Sequence, residues 1–91
     1  MQFEWDPVKD AHNRTKHGVS FEEARTVFED DLFLCFADPA HSQGEARYLM
    51  LGQSRQGRLL MIAYTERDGT VRVISAREAT RRERKSYEED L

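Results

Sequence analysis

Three arginines give the first chemical lead: Arg67, Arg72 and Arg77. A guanidinium holds two phosphate oxygens at once and keeps its charge through any proton-transfer cycle, which suits it to a phosphodiester substrate. Arg67 and Arg72 flank an Asp68-Gly69 pair, and a two-residue turn there sets both on one face of a hairpin, as it would ordinary cross-strand arginines. Arg77 stands at a strand-to-helix junction, where it fits a phosphate clamp beside a helix N-terminus or an ion pair with Glu78 or another neighbour. Lys16-His17 is the second lead. Histidine is the natural proton carrier near neutral pH, and the same pair suits the last turn of a helix, where the dipole favours cations. Tyr48 and Tyr87 could donate a proton or stack on a base, but Tyr87 is a single large aromatic in a charged segment and reads better as the anchor of a closing helix. The run Arg81-Arg82-Glu83-Arg84-Lys85 resembles a nucleic-acid patch, with a solvated helix face as the competing interpretation.

Other chemistries lack their residues. His12, His17 and His41 show no HxxxH or HExxH spacing and Cys35 stands alone, so neither a metal site nor a disulfide is expected. No P-loop, GxGxxG or GxSxG is present, which leaves nucleotide cofactors and serine hydrolases without support. No cofactor is expected.

The elements that must position these residues follow from local signals. Phe3-Glu4-Trp5 alternates as a short strand. Asp6-Pro7 opens a helix from about Pro7 to His17 that Gly18 stops, and its only large apolar residue, Val8, implies weak packing. Ser20-x-x-Glu23 is a capping box for a second helix reaching about Glu29, with Phe21, Ala24, Val27 and Phe28 at helical spacing. Strands are expected over Leu32–Phe36, Arg47–Gln53, Arg58–Arg67 and Thr70–Ser75, with a loop at His41–Glu45, a turn at Ser54–Gly57 and a hairpin at Asp68-Gly69. Thr80 and Glu83 cap a last helix running to about Asp90. Pairing across the hairpin places Leu60, Ile62, Tyr64, Val71 and Val73 on a core face, joined by Leu49 and Leu51. Tyr48, Met50, Met61, Ala63, Thr65, Arg67, Arg72 and Ile74 fall on the other face, which turns polar toward the hairpin tip.

The chain has 91 residues, room for one domain spanning 1–91 with a small core; 34% of them are charged and the mean hydropathy is -0.79. No apolar run is long enough to cross a membrane, and the acidic start MQFEWD is no signal peptide, so a cytoplasmic protein is expected. The net charge of -3 is unevenly spread. Between Arg47 and Lys85 ten basic residues face four acids, a local +6, while the remainder carries -9. Such a dipole can build a basic face for a phosphate-bearing partner beside an acidic remainder.

The stretch FEWDPVKDAHNRTKHGVSFEEARTVFED, with GRLLMIAYTERDG and VRVISAREATRRERKSYEE behind it, resembles the BrnT family of bacterial type II toxins over Phe3 to Glu89. Its most specific parts are Trp5-Asp6, Lys16-His17-Gly18, Ser20 to Ala24, and Val73 to Arg77 with Arg82-Glu83-Arg84 and Tyr87. The resemblance implies an α+β fold similar to RelE and barnase: a small antiparallel meander with two N-terminal helices and one C-terminal helix. It also implies a metal-independent endoribonuclease that cuts RNA, in particular mRNA, and stops translation, at the ribosome or away from it. Its partner would be a ribbon-helix-helix antitoxin similar to BrnA, which alone would touch DNA. Carried over by position, Arg67 and Arg77 look like active-site arginines, with Lys16 and His17 from the KHG turn; Glu66, His17 and Tyr48 are the candidates for the base. Arg47, Arg72, Tyr48 and Arg81 are the expected RNA contacts. The rival is a catalytically inactive scaffold that serves only as antitoxin partner and co-repressor.

Overall fold

The computed structural model describes residues 1–41 and 44–89. In chain order the elements are β1 (Gln2–Glu4), α1 (Pro7–His17), α2 (Phe21–Thr26) with a 3₁₀ turn at Val27–Glu29, β2 (Leu34–Ala37), a 3₁₀ turn at Pro39–His41, β3 (Arg47–Gln53), β4 (Leu59–Arg67), β5 (Thr70–Glu78) and α3 (Arg81–Glu89). The sheet order is β1-β5-β4-β3-β2. β2 to β5 form the expected antiparallel meander, but β1 joins as a parallel edge strand on β5. Among the described residues no helix is long and apolar enough to cross a membrane.

Local chemistry explains most boundaries. Asp6 accepts a hydrogen bond from the Val8 N–H at 2.8 Å, Pro7 needs no such partner, and Gly18 at φ 69° takes the left-handed conformation that ends α1. Thr80 and Glu83 form a complete capping box, with Glu83 N–H donating to Thr80 Oγ1 at 3.2 Å and Thr80 N–H to Glu83 Oε1 at 2.9 Å. The box expected at α2 is only half made. Ser20 accepts from the Glu23 N–H at 3.0 Å, while the Glu23 carboxylate turns inward to Ser54 and Arg58. β2 starts at Leu34 rather than Leu32, because Asp30 draws the Leu32 N–H into a tight turn at 2.9 Å. β5 runs on past Ser75 to Glu78. The expected end of the last helix at Asp90, and Ser42-Gln43 of the expected loop, lie outside the described residues.

The pairing of β3 with β4 departs from expectation by one residue, and this exchanges the faces of β3. A four-residue turn would set Leu49 against Ile62, but the connection has five residues, 54–58, closed by Ser54 N–H donating to Arg58 O at 2.8 Å. Tyr48 therefore opposes Tyr64 and Met50 opposes Ile62, in the core, while Leu49 and Leu51 lie opposite Ala63 and Met61 on the other face. Hydropathy gave no warning, because β4 is buried on both sides from Leu59 to Thr65. The hairpin register is as expected at Arg67–Thr70, Thr65–Arg72 and Tyr64–Val73; then an extra residue, Ile74, bulges out, so that Ala76 points into the core.

One face of the sheet thus packs Met50, Leu60, Ile62, Tyr64, Val71, Val73 and Ala76 against Val19, Phe21, Ala24 and Val27. Each such side chain contributes roughly 1.5–3 kcal/mol by leaving water. On the other face Tyr87 of α3 covers Leu51, Leu59 and Met61. Its hydroxyl donates to Asp30 at 2.6 Å, and burial together with that carboxylate pushes its pKa up to about 12. Tyr87 is the anchor that its place in the sequence suggests.

Glu23 is 4% exposed and ties the helical layer to β4. It accepts from Ser54 Oγ at 2.7 Å and from Arg58 Nε at 3.0 Å, and the same guanidinium reaches the Gly18 carbonyl at 3.0 Å. The Arg58 hydrogen bonds, opposed by burial, hold the Glu23 carboxyl below its ordinary 4.5. Between the folded value and 4.5 the unfolded chain binds the extra proton, so this stabilisation is complete above about pH 4.5 and is lost as pH falls through the folded value. Urea titrations from pH 3 to 7 should show that slope. Glu23→Gln should reduce it, leaving the share from Glu83 and Asp30, and cost roughly 3 kcal/mol at pH 7, the low end for a broken buried pair because Arg58 reaches solvent; an unchanged slope would remove Glu23 as a source.

Candidate functional site

α1 cannot be held by apolar burial, since Val8 is 66% exposed. A buried polar side chain does the holding. β1 accompanies β5 only through Arg72, so the outer edge of β5 is bare beyond it. Asn13, 6% exposed, takes the place of the missing strand. Its Nδ2 donates to the carbonyls of Ala76 and Val19, both at 2.8 Å, and its Oδ1 accepts from the Ala76 N–H at 3.1 Å. One amide thereby satisfies both backbone groups of an edge residue.

The consequence is a groove of about 430 Å³ between α1 and the bulged part of β5, lined by Val8, Lys9, His12, Asn13, Lys16, His17, Ile74 and Ser75. Positions 9, 12, 13, 16 and 17 fall on one helical face. Two imidazoles and two ammonium groups line the space and, among the described residues, no carboxylate does. The acid within α1, Asp10, is engaged elsewhere, accepting from the Phe21 N–H at 2.9 Å with Arg14 beside it at 3.6 Å. The groove runs along α1, and of its cations Lys16 and His17 lie in the last turn, whose carbonyl dipoles favour positive charge. Two proton carriers beside two fixed positive charges can take a proton from one oxygen, give one to another and hold anionic oxygens between them.

The other expected residues are distributed elsewhere. Arg67 pairs with Glu45, and Arg72 Nη1 lies 3.9 Å from Glu4; with Thr65 and Thr70 they line a cleft of about 350 Å³ at the hairpin end. Arg77 donates to both oxygens of Glu83 at 2.8 Å and to the Glu78 carbonyl at 3.2 Å, tying β5 to α3. That pairing raises the Arg77 pKa and lowers that of Glu83, burial opposing both. Arg67 and Arg77 lie six register rows apart along β4, roughly 20 Å at strand spacing, too far to share a phosphate. Glu66 neighbours Arg67 in sequence but points to the opposite side of β4, level with Val71. Tyr48 is half-buried with its ring 5.7 Å from that of Tyr64, and Arg47 lies 3.7 Å from Asp38. Arg81 is exposed at the start of α3.

Of the expected site residues, then, Lys16 and His17 come together in one groove and Arg67 and Arg72 in a separate cleft. Sequence reasoning passed over Lys9 and weighed His12 only as a metal ligand. Their signal was available, because they precede Lys16 by seven and four residues and so share its helical face. Among the described residues no three His, Cys, Asp or Glu side chains are grouped to hold a metal ion.

Comparison with known proteins adds an independent line. A family model described as a ribonuclease toxin, BrnT, of a type II toxin-antitoxin system matches residues 5–83. The crystal structure of the Brucella abortus ribonuclease toxin BrnT superposes with a TM-score of 0.65 at 20% sequence identity, covering 89% of this chain and 99% of that one. At that identity the likeness concerns the fold. No curated protein matches the chain.

Asn13→Ala should strand three buried backbone groups at a cost on the order of 1–3 kcal/mol, lowering Tm by roughly 4–8 °C per kcal/mol in a domain of this size. Amide exchange should localise the damage, with the Ala76 N–H losing protection far beyond amides of the β3–β4 ladder. Uniform loss of protection across the sheet would mean that Asn13 stabilises the whole fold and does not specifically dock α1.

Proposed function

The chain belongs to the BrnT family of ribonuclease toxins of type II toxin-antitoxin systems, and from that premise we propose that the groove between α1 and β5 is where this member cleaves RNA. The observation that carries the reading is the lining of that groove: His12, His17, Lys9 and Lys16 without a carboxylate. Cleavage of a ribose phosphodiester by its own 2′-OH needs a base for the hydroxyl, an acid for the departing 5′-oxygen, and positive charge for the phosphorane between them. His12 and His17 divide the proton work, one entering neutral and the other protonated. Lys9 and Lys16 hold the non-bridging oxygens. The 2′-oxygen forms its bond to phosphorus as the bond to the 5′-oxygen breaks, leaving a 2′,3′-cyclic phosphate and a 5′-hydroxyl. No metal enters this chemistry.

Ser75 and Ile74 form the β5 wall of the groove and Arg72 lies two residues before Ile74. RNA leaving the groove along β5 therefore meets Arg72 and then Arg67, which bind its backbone. Arg77, engaged by Glu83, ties β5 to α3. By the resemblance set out above, the target is messenger RNA in the cytoplasm, the effect is arrested translation, and the neutralising partner is a ribbon-helix-helix antitoxin that carries any DNA contact.

Purified protein acting on an oligodeoxynucleotide with one central ribonucleotide tests the chemistry. Cleavage should occur only at the ribose, yield the cyclic phosphate and survive EDTA. His12→Ala and His17→Ala should each cost about 10²–10⁴ in rate, and Lys16→Ala about 10²–10³, with Tm held within a few degrees. Parent-like rates in the His12/His17 double variant would move the active site to the Arg67–Arg72 cleft. A parent protein that cuts no RNA, with or without ribosomes, would leave a binding module.

A further inference from the structure

The face of the sheet opposite α2 is covered by α3 only around Leu51, Leu59 and Met61. Two register rows lie beyond that cover; Ala63 and Thr65 are buried within them, and Phe36 and Arg72 are exposed at their ends. The first runs Phe36–Leu49–Ala63 and the second Arg47–Thr65–Arg72, with Arg67 at the hairpin end of the same face. Phe36 is 44% exposed on this face; Leu32 and Phe33 in the preceding turn are 53% and 43% exposed, with Phe33 on the side of Gly52 and Val27. β2 is also an edge strand, and Leu34–Ala37 contains no lysine or proline to discourage pairing. An apolar patch rimmed by charge on a small domain marks an interaction surface.

The charge beside the patch specifies the partner. Along the strands from Ala63, Arg72 lies two residues away, roughly 7 Å, and Arg67 four residues, roughly 13 Å; each holds a carboxylate of this chain, Glu4 and Glu45 respectively. Both pairs are exposed enough to exchange their acid for another. A ligand matching this face carries apolar side chains beside acidic groups; RNA phosphates can meet the two arginines, but RNA has no aliphatic side chains to set on Phe36 and Leu49. A second copy docking through the same face in a two-fold dimer would bring arginines toward arginines. We propose that this face is where the protein antitoxin docks, through a segment that sets apolar side chains on Phe36 and Leu49 and carboxylates on Arg67 and Arg72. The proposal rests on family membership, which requires a protein antitoxin, and not on the assignment of the groove. Docking there blocks the path of RNA past Arg72 without filling the groove itself.

The test uses full-length toxin and the protein encoded by the adjoining reading frame, titrated by calorimetry and by surface-immobilised kinetics. Phe36→Ser should weaken that binding at least 30-fold with RNA cleavage within twofold of the parent. Arg67→Glu and Arg72→Glu should slow association at least tenfold at low salt, while Arg25→Glu on α2 should not. Unfolding midpoints within a few degrees keep these readings from being folding defects. Phe36→Ser binding within threefold of the parent would falsify the proposal. So would three alternative outcomes: a concentration-dependent dimer of the parent that Phe36→Ser dissolves, loss of affinity for 2′-deoxy-substituted RNA in Phe36→Ser with antitoxin binding intact, or a parent that binds no neighbouring product. The last would also remove the antitoxin reading, and the others would leave it standing.

Discussion

The position of the candidate catalytic helix depends on one buried amide. α1 offers the sheet almost no apolar surface, and its cationic residues would drift in solvent if only local helix energetics held it. Asn13 supplies what burial cannot, a pair of directed hydrogen bonds to the N–H and C=O of Ala76 plus a third to Val19. Directed bonds fix rotation as well as distance. With Asn13 aimed at the strand edge, residues one position and three or four positions away on the helix must flank that edge. This is how Lys9, His12, Lys16 and His17 come to share a groove with Ile74 and Ser75. The Ile74 bulge completes the arrangement, because it reverses the alternation of β5 in time for Ala76 to meet the core.

Elsewhere the molecule pairs its charges internally. Arg58 is bound to Glu23, Arg77 to Glu83, Arg55 to Glu29 and Arg67 to Glu45. The first of these joins layers and the second joins α3 to the sheet, whereas exposed pairs add little stability. The pairing also reconciles a net negative chain with a phosphate-handling role. Total charge matters less to a phosphodiester than the local field, and the α1 groove excludes carboxylates because Asp10 is committed to the Phe21 N–H.

The central strand explains why the molecule has two separate covers. β4 is apolar on both sides, so α2 with its 3₁₀ turn must shield one face and α3 the other. α3 is a charged helix with one large aromatic, and it can shield only what Tyr87 reaches. Phe36 and Arg72, beyond its reach at the ends of their rows, are left exposed as a direct result of that economy.

Much of this was determined by the sequence alone, wherever a short-range interaction decides conformation. Asp6-Pro7, Gly18, Ser20, Asp68-Gly69 and Thr80 with Glu83 set their turns and helix ends through contacts a few residues long, and the structure has them where the sequence places them. The order of helices and strands followed from those breaks, and the resemblance to the BrnT family implied the α+β class. The motifs Lys16-His17-Gly18 and Val73 to Arg77 likewise carried the family. What only the tertiary structure decided is everything that depends on register and on contacts between distant segments. The extra residue in the 54–58 turn exchanged the faces of β3, and the bulge at Ile74 did the same for the end of β5; a doubly buried neighbour such as β4 hides both from hydropathy. Likewise, nothing local to Asn13 announces a partner 63 residues away, nor does Arg67 disclose that it stands roughly 20 Å from Arg77. Side-chain chemistry is written in the chain, but which side chains meet is settled by backbone hydrogen bonding across the sheet, where a shift of one residue turns every side chain to the other face.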